Sequence, residues 1–414
     1  MNGGDLMISH KLKVIEQMVE GNGLSGDYEE LLIQGVSIDS RSVQSGNLFI
    51  PIIRQLDAHD YVEEALTKGA TASLWQKDHP NPPIHLPLIY VDDCMKSLQM
   101  LAANYRKELP IKVIGVTGSN GKTTTKDMIS SVLETKYRVH KTVGNLNSQI
   151  GLPLTILEID KSTEVAVVEM GMSERGQMGR LSLIAKPDIA VITMIGVSHL
   201  SSLGSREEIA AAKLEIIDGL QDDGILIYNG DEPLFIPLLG AHNVINAVAT
   251  IAVATTMGLS PTEIDMGFQS LRVTSMRMEK ILSTLGFTII NDAWNASPIS
   301  MSAAIKTFEE LTGYSRKHLV LGDMLELGEQ EQEFHRDIGR MIDPVKIDFV
   351  YTVGNLSKYI AFEAEKRFPV GGVQAYNDKK ELAQVLKNRV MPNDAIMLKG
   401  SRGIQLESLL PNLL

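Results

Sequence analysis

The feature that most constrains this chain is a glycine-rich segment at residues 115–125, which reads GVTGSNGKTTT. It follows an apolar run at 111–114 and precedes a helical pattern that reaches residue 135. A strand, a glycine-rich loop and a helix in this order form the context that a phosphate-binding loop requires, which disfavours an ordinary glycine-rich turn. Lys122 would add a positive charge, and the Thr123 hydroxyl can ligate Mg²⁺. The sequence therefore predicts that the chain binds ATP or a close relative.

Length, charge and cysteine content exclude several classes of protein. A chain of 414 residues can form two or three domains, and its net charge of −12 argues against general nucleic-acid binding. The single cysteine, Cys94, excludes an intrachain disulfide framework and a cysteine-based zinc cluster. No run approaches the roughly 18 apolar residues of a membrane span, and the N-terminus lacks the apolar core of a signal peptide. We therefore expect a cytoplasmic monomer without membrane insertion.

The succession of apolar runs and amphipathic segments predicts an α/β protein of three domains. Strands are predicted at 35–39, 47–50, 88–91, 165–168, 188–193, 224–228, 287–290, 318–321, 348–352 and 395–398. Helices are predicted at 61–69, 94–107, 122–135, 206–220, 243–257, 298–312, 331–342, 356–367 and 378–389. Short continuous apolar runs are typical of buried parallel strands. We interpret the chain as a small N-terminal α/β domain (1–108), a central P-loop-type parallel-sheet domain (109–272) and a C-terminal Rossmann-like α/β domain (273–414).

Three further side chains of the central domain could take part in chemistry. Glu169 follows one predicted strand and His199 lies in the turn after another, at the end where open parallel sheets bind ligands. A carboxylate there suits Mg²⁺. The alternatives are a solvated carboxylate and a structural histidine, and the agreement in position with the glycine-rich loop favours function. Lys213 reads from its surroundings as a lysine on a solvated helix face.

Taken together, these segments resemble the Mur ligase family, the ATP-dependent amide-forming enzymes of peptidoglycan assembly. The resemblance covers nearly the whole chain. In the first two domains it rests on DSR at 39–41, GNLF at 46–49, TGSNGKT at 117–123, GNLN at 144–147, IGLP at 150–153, EMG at 169–171 and IGVSH at 195–199. Later segments are GAHNVIN at 240–246, MRME at 276–279, NDAWNASP at 291–298, GDMLELG at 322–328 and KGSR at 399–402.

The resemblance implies roles for individual residues. The catalytic set is Lys122, Glu169, His199 and Lys213. Two Mg²⁺ ions are implied, with Thr123, Glu169, His199 and a carbamylated Lys213 as ligands. ATP would be bound by Thr117, Gly118, Ser119, Asn120, Gly121, Lys122, Thr123 and Thr124, and from the far side of the cleft by Asn243, Asn246, Arg277 and Asp292. Substrates would be bound by Ser40, Arg41, Asn145, Asn147, Asn295, Ser297 and Asp323.

The resemblance also implies a reaction and a division of labour. The N-terminal domain would bind a UDP-sugar, the central domain ATP, and the C-terminal domain a dipeptide, closing on ATP. The implied reaction ligates D-alanyl-D-alanine to UDP-N-acetylmuramoyl-tripeptide through an acyl phosphate, in cell-wall synthesis and thereby in cell shape and division. Another Mur-type amide ligase, adding the third residue or polyglutamate, is one alternative. A non-catalytic nucleotide-binding variant is the other.

The sequence departs from the family pattern in the central domain and near the cleft. Members usually carry a further β-rich stretch between the segments that here lie at 237–239 and 240–243 and are nearly fused. A shorter sheet would expose an edge strand. Trp294 stands where the family usually has tyrosine, which keeps a stacking surface but exchanges a hydroxyl for one N–H donor.

Overall fold

The computed structural model describes residues 7–83, 86–196, 200–229, 241–271 and 276–414, with the backbone alone for 241–245. Within these residues, three sheets of four, five and six strands follow one another along the chain, each flanked by helices. The predicted α/β class is confirmed. None of the described helices is long and apolar enough to cross a membrane.

The first sheet is small and parallel. Its strands are β3 (Val36–Ser37), β4 (Leu48–Phe49), β5 (Ala72–Gln76) and β6 (Leu88–Val91), and a separate antiparallel pair is formed by β1 (Ser9–Lys11) and β2 (Leu32–Gln34). The four strands lie in sequence order, β3-β4-β5-β6. The helices are α1 (Leu12–Met18), α2 (Val62–Thr67) and α3 (Cys94–Glu108). Asp93 caps α3, since its side chain accepts a hydrogen bond from the backbone N–H of Lys96.

The central sheet has five parallel strands in the order β11-β10-β7-β9-β8. The strands are β7 (Lys112–Thr117), β8 (Val139–Lys141), β9 (Val165–Glu169), β10 (Ile189–Ile192) and β11 (Ile225–Tyr228). The helices are α4 (Lys122–Leu133), α5 (Gly151–Leu157), α6 (Gln177–Ala185), α7 (Leu200–Leu203), α8 (Arg206–Leu214), α9 (Ala241–Thr256) and α10 (Pro261–Gln269). The helix predicted at 206–220 ends at Leu214 and continues as a 3₁₀ helix, Glu215–Gly219.

Strand β11 forms one edge of this sheet, as the shortened sequence predicts. In the described part of the chain no strand pairs with its outer side. The side chains of Ile225 and Tyr228 are 42% and 64% exposed. The nearly fused segment at 237–240 itself lies outside the described residues.

The C-terminal sheet has six strands in the order β12-β13-β17-β14-β15-β16, and only β12 runs antiparallel to its neighbour. The strands are β12 (Glu279–Leu282), β13 (Thr288–Asp292), β14 (Lys317–Gly322), β15 (Phe349–Val353), β16 (Val373–Tyr376) and β17 (Ala395–Lys399). The helices are α11 (Pro298–Glu310), α12 (Glu331–Met341), α13 (Lys358–Glu365) and α14 (Lys379–Arg389). Separate apolar clusters cover the two faces of this sheet.

The apolar core does not stop at the predicted boundary between the first two domains. One cluster of buried side chains runs from the N-terminal sheet through α3 to α5 and α6 of the central domain. The Tyr105 hydroxyl donates to the carbonyl of Ile159 at 2.6 Å, and the Arg106 Nε donates to the carbonyl of Ala185 at 2.9 Å. The boundaries 1–108, 109–272 and 273–414 stay a prediction, and the packing couples the first two units closely.

Candidate active site

The glycine-rich loop between β7 and α4 is packed so closely that two of its positions require glycine. Gly118 has φ +150° and Gly121 has φ +83°, both in the region that disfavours L side chains. A Cβ on Gly118 would lie 2.0 Å from the Thr193 hydroxyl, and one on Gly121 would lie 2.7 Å from Asn246 Oδ1. The loop backbone is therefore held against its neighbours, with the N-terminus of a twelve-residue helix behind it.

Lys122 is the first residue of that helix and bends back over the loop. Its Nζ donates to the carbonyl of Gly118 at 2.8 Å. Burial lowers the pKa of Lys122, and the nearby Glu169 carboxylate opposes that shift. The lysine thus stands beside the backbone groups that the sequence assigns to phosphate.

Thr123 and Glu169, two of the Mg²⁺ ligands that the resemblance implies, are in direct contact. The Thr123 hydroxyl donates to Glu169 Oε2 at 2.8 Å, and the Asn147 Nδ2 donates to Glu169 Oε1 at 2.7 Å. Thr123 and Glu169 are only 3% and 2% exposed. Because β7 and β9 are parallel neighbours, the end of one strand brings the loop and the end of the other brings the carboxylate to the same edge.

Lys213 is buried, so the solvated-lysine interpretation is wrong. It lies on α8 and is 2% exposed. Its pKa is lowered well below the ordinary value of a lysine, first because burial penalises the charged form and second because of the positive charge of Lys122. His199 lies outside the described residues, immediately before α7.

Several polar atoms around the loop are buried without a hydrogen-bond partner among the described residues. They are Thr117 Oγ1, Asn120 Nδ2, Asn246 Nδ2 and Arg277 Nε. Buried polar groups are rarely left unpaired, so a cluster of them is evidence of a polar ligand. The donor set fits Mg²⁺ and a nucleotide phosphate: a hydroxyl and a carboxylate oxygen for the cation, and amides, a lysine and an arginine for the anion. The side chain of Asn243 lies outside the described residues.

Residues of the C-terminal domain, outside its strands, face the loop from the opposite side. The Arg277 Nη2 donates to the Thr123 hydroxyl oxygen at 2.7 Å, and Ser297 Oγ donates to Asn120 Oδ1 at 3.2 Å. Ser297 also caps α11. Farther along, the backbone N–H of Ser201 donates to the carbonyl of Glu326 at 3.5 Å. The central and C-terminal domains are therefore in contact across the candidate site.

Asp292 is engaged by two partners. Its Oδ2 accepts from Lys399 Nζ at 2.6 Å, and its Oδ1 accepts from the backbone N–H of Met278 at 3.1 Å. Lys399 is 2% exposed and ends β17 at the same sheet edge, but the sequence interpretation gave it no role. The strand-end argument that selected Glu169 applies to it equally and is the signal that could have found it.

Trp294 lies near two guanidinium groups, and the sequence does not predict either contact. The Cζ atoms of Arg277 and Arg402 lie 5.8 and 5.1 Å from its ring centroid, within cation–π range. The next residue along the chain, Asn295, is exposed, and its Oδ1 accepts from the backbone N–H of Ala296.

The remaining predicted substrate residues do not share one cluster. The Arg41 guanidinium pairs with Asp39 and holds the pKa of that carboxyl at about 2, while Ser40 Oγ donates to Glu64 at 3.0 Å. Asn145 is exposed beside Asn147. Asp323 accepts hydrogen bonds from the backbone N–H groups of residues 355–357, so both its oxygens support a loop.

A second group of potential metal ligands lies in the N-terminal domain. Asp57 Oδ1 contacts His59 Nδ1 at 2.8 Å, and Asp57 Oδ2 contacts His79 Nε2 at 3.1 Å. The two imidazole rings are stacked, with centroids 4.1 Å apart and planes inclined by 10°. An imidazole coordinates a metal in the plane of its ring, and one ion cannot lie in two nearly parallel planes. The group is best explained as a carboxylate that bridges two imidazoles.

Two family models match the two larger domains of the chain. Residues 116–235 match the family model of the Mur ligase middle domain, and residues 276–402 match that of the Mur ligase, glutamate ligase domain. The chain is 47% identical to the UDP-N-acetylmuramoyl-tripeptide–D-alanyl-D-alanine ligase of Bacillus subtilis (strain 168), with 99% of each chain covered. That alignment spans 452 positions, more than the 414 residues here, so the relative carries segments that this chain lacks.

Two solved structures are similar over nearly the whole chain. A crystal structure of MurF from Acinetobacter baumannii superposes with a TM-score of 0.86 at 26% identity, covering 98% of this chain and 99% of that one. The MurF ligase from Thermotoga maritima in complex with ADP superposes with a TM-score of 0.78 at 27% identity, covering 92% and 96%.

Proposed function

The chain belongs to the Mur ligase family, and we propose that it joins D-alanyl-D-alanine to UDP-N-acetylmuramoyl-tripeptide in a reaction driven by ATP. It is an amide-forming ligase of peptidoglycan synthesis. The observation that carries this assignment is the 47% identity over 99% of both chains with the Bacillus subtilis ligase of that name. Neither a different Mur-type ligase nor a non-catalytic nucleotide binder is favoured by that similarity.

The chemistry explains why the site is built around phosphate rather than around a nucleophilic side chain. A carboxylate is a poor electrophile, so its oxygen first takes the γ-phosphoryl group of ATP and releases ADP. The amine nitrogen of the dipeptide then attacks the carbonyl carbon, loses a proton, and expels phosphate. Because both steps need positioning and charge neutralisation, the enzyme requires cations and backbone N–H groups more than a covalent catalyst.

We assign Lys122 to the terminal phosphates, and Thr123 and Glu169 to one Mg²⁺. The cation would neutralise phosphate charge when bound. The hydrogen bond between the Thr123 hydroxyl and Glu169 supports this assignment, because the two oxygen atoms lie close enough together for one Mg²⁺ to bind both. Asn147, whose amide donates to the same carboxylate, would orient it as well as contact substrate.

We assign His199 and a carbamylated Lys213 to a second Mg²⁺. A lysine reacts with CO₂ only as the neutral amine, and the lowered pKa of Lys213 supplies that form at lower pH than an exposed lysine would. Addition of CO₂ releases one proton and turns the side chain into an anion. That anion would also be stabilised by the positive charge of Lys122, which disfavours a second ammonium group at Lys213.

The remaining assignments follow the cleft outward. Asn243, Asn246, Arg277 and Asp292 would hold the nucleotide, Ser40, Arg41 and Asn145 the UDP-muramoyl part, and Asn295, Ser297 and Asp323 the dipeptide side. Asp323 would act through the loop that it supports. We place the reaction in the cytoplasm, where ATP is available.

One assay tests the function. Purified protein is supplied with Mg²⁺, ATP and a UDP-tripeptide bearing lysine or diaminopimelate, and ADP is measured with D-alanyl-D-alanine, with glutamate, or with neither. We expect ADP release that depends on both the UDP-tripeptide and the dipeptide. Release with glutamate but not with the dipeptide would instead identify a polyglutamate-type ligase, and no nucleotide binding by folded protein would refute the proposal.

A further inference from the structure

Arg277 contacts the same oxygen that the proposed Mg²⁺ requires. Its Nη2 lies 2.7 Å from Thr123 Oγ1, and that hydroxyl points its hydrogen at Glu169. A guanidinium here places a full positive charge beside the buried pair of hydroxyl and carboxylate. The charge of Glu169 in turn favours the protonated form of Arg277, whose pKa burial lowers.

A guanidinium and Mg²⁺ would repel each other if both bound at the Thr123 hydroxyl oxygen. Mg²⁺ binds oxygen at about 2.0–2.1 Å, so an ion on Thr123 would lie within about 5 Å of the Arg277 nitrogen. Two cations at that separation repel strongly in a buried site. Glu169 is the one carboxylate that contacts Thr123 among the described residues, and its charge is the largest of three, with Asp292 and Asp127, that favour charged Arg277, so both cations would draw on Glu169.

The backbone that presents Arg277 is held in an uncommon conformation on both sides. Met276 has φ +62° and Met278 has φ +52°, and neither is a glycine. The N–H of Met276 donates to Glu279 Oε2 at 2.9 Å, and that of Met278 donates to Asp292 Oδ1 at 3.1 Å. Left-handed backbone at non-glycine residues stores strain and is concentrated at switch regions. This segment is also where the chain passes from the central into the C-terminal domain.

We propose that Arg277 is a latch that a divalent cation displaces: the guanidinium holds the Thr123–Glu169 pair until metal takes its place, and the strained segment at 276–278 moves with it. The inference rests on the metal site proposed above. The latch couples metal loading to the position of the C-terminal domain. In the absence of metal, Arg277 would occupy the metal site. Once metal is bound, Arg277 would be free to bind the nucleotide.

The first test measures Mn²⁺ binding by electron paramagnetic resonance, without nucleotide, in wild type, Arg277→Met and Arg402→Met. Arg402 is the matched control, because it also lies over Trp294 but makes no hydrogen bond to Thr123 in the described part of the chain. We expect Arg277→Met to bind Mn²⁺ about tenfold more tightly, as removal of a charge-assisted competitor predicts, and Arg402→Met to bind as wild type does. Arg277→Gln serves as the second variant should methionine impair folding.

The second test follows the domains. Cys94 is the only cysteine and is buried, so spin labels can be placed on Asp222→Cys in the central domain and Val345→Cys in the C-terminal domain. Both positions are exposed. We expect Mg²⁺ alone to shift the distance distribution in wild type, and Arg277→Met to show the shifted distribution with or without Mg²⁺.

The outcomes separate this inference from the proposed function. Equal Mn²⁺ affinity in wild type and Arg277→Met, or an equal gain in Arg402→Met, overturns the latch and leaves the metal site intact. Failure of every variant to bind Mn²⁺ removes the metal site and the latch together. An unchanged label distance on addition of Mg²⁺ to wild type overturns the coupling to the domain.

Discussion

The Thr123 hydroxyl and the Glu169 carboxylate meet at 2.8 Å, although 46 positions separate them in the chain. The hydroxyl belongs to the first turn of α4, directly after the glycine-rich loop, and the carboxylate to the last residue of strand β9. The other residues with proposed catalytic roles lie around this contact. The first prediction therefore concerns Glu169.

Replacing Glu169 with glutamine should remove most activity. The amide keeps the size of the side chain but has no charge to hold Mg²⁺, so we expect a roughly 100-fold lower rate, the size of effect seen when one electrostatic contact is lost. The measurement is ADP release at saturating substrates across a range of Mg²⁺ concentrations. Glu134→Gln is the matched control, since that exposed carboxylate ends α4 away from the loop. Activity of Glu169→Gln within about threefold of the control would contradict the assignment.

Replacing Gly121 with alanine should weaken nucleotide binding and destabilise the protein. The left-handed backbone alone costs about 1–2 kcal/mol for an L residue, and the new Cβ would meet Asn246 Oδ1 at 2.7 Å. Gly176→Ala isolates the first cost, because its φ is +77° and nothing lies within 4 Å of the place that its new Cβ would take. We expect only Gly121→Ala to lower ADP affinity by calorimetry. Equal affinity in the two variants would show that the close packing is irrelevant to binding.

The pKa of Lys213 predicts how stability depends on pH. Since that pKa is lowered in the native protein, the unfolded chain binds one more proton from the lowered value up to about 10.4, and the free energy of unfolding should rise with pH in that window. Lys213→Met should remove this contribution in urea unfolding in CO₂-free buffer. Lys161→Met, at an exposed position, should leave the pH dependence unchanged. A parallel pH dependence in wild type and Lys213→Met would refute the buried neutral amine.

The proposed carbamate on Lys213 can be tested directly by spectroscopy. Wild type equilibrated with ¹³C-bicarbonate should show a carbamate resonance in carbon NMR that is absent from Lys213→Met and retained in Lys161→Met. Activity of wild type should rise with bicarbonate under CO₂-depleted conditions. A resonance that persists in Lys213→Met would place the modification elsewhere.

Breaking the pair of Lys399 and Asp292 should destabilise the C-terminal domain. Both side chains are largely shielded, at 3% and 15% exposure, so Lys399→Met leaves an uncompensated carboxylate and should cost about 3 kcal/mol. The measurement is the urea transition of the C-terminal domain, followed by Trp294 fluorescence in a Trp75→Phe background. Asp337→Asn, which breaks the exposed pair with Arg340 in the same domain, should cost less than about 1 kcal/mol. Comparable losses in the two variants would mean that Lys399 is not a buried partner.

The sequence predicts the main strands and helices because apolar runs and their spacing are local properties. It misses α5 and α6, since Gly151 and Pro153 in the first of these are poor helix formers that tertiary packing overrides. It also misses β8 and the antiparallel edge strand β12, whose half-exposed residues carry no continuous apolar run.

The candidate site is predictable where a residue's role follows from its position at a strand end. That argument selects Glu169 and would have selected Lys399. It fails for Lys213, because burial depends on which elements cover a helix and not on the helix itself. The strand-end argument also cannot predict the hydrogen bond between Arg277 and Thr123, because 154 positions separate these residues and they belong to different domains.

The continuous core that joins α3 to α5 and α6 has a consequence for how the enzyme measures its substrate. Two units that share one close-packed interior should move together, so the span from the proposed sugar-nucleotide site of the N-terminal domain to the glycine-rich loop would be fixed when the protein folds. A stem peptide one residue too short or too long would present its terminal acid at the wrong place along that span. The fixed distance between the first two domains would therefore select for the length of the peptide, and only the C-terminal domain would move.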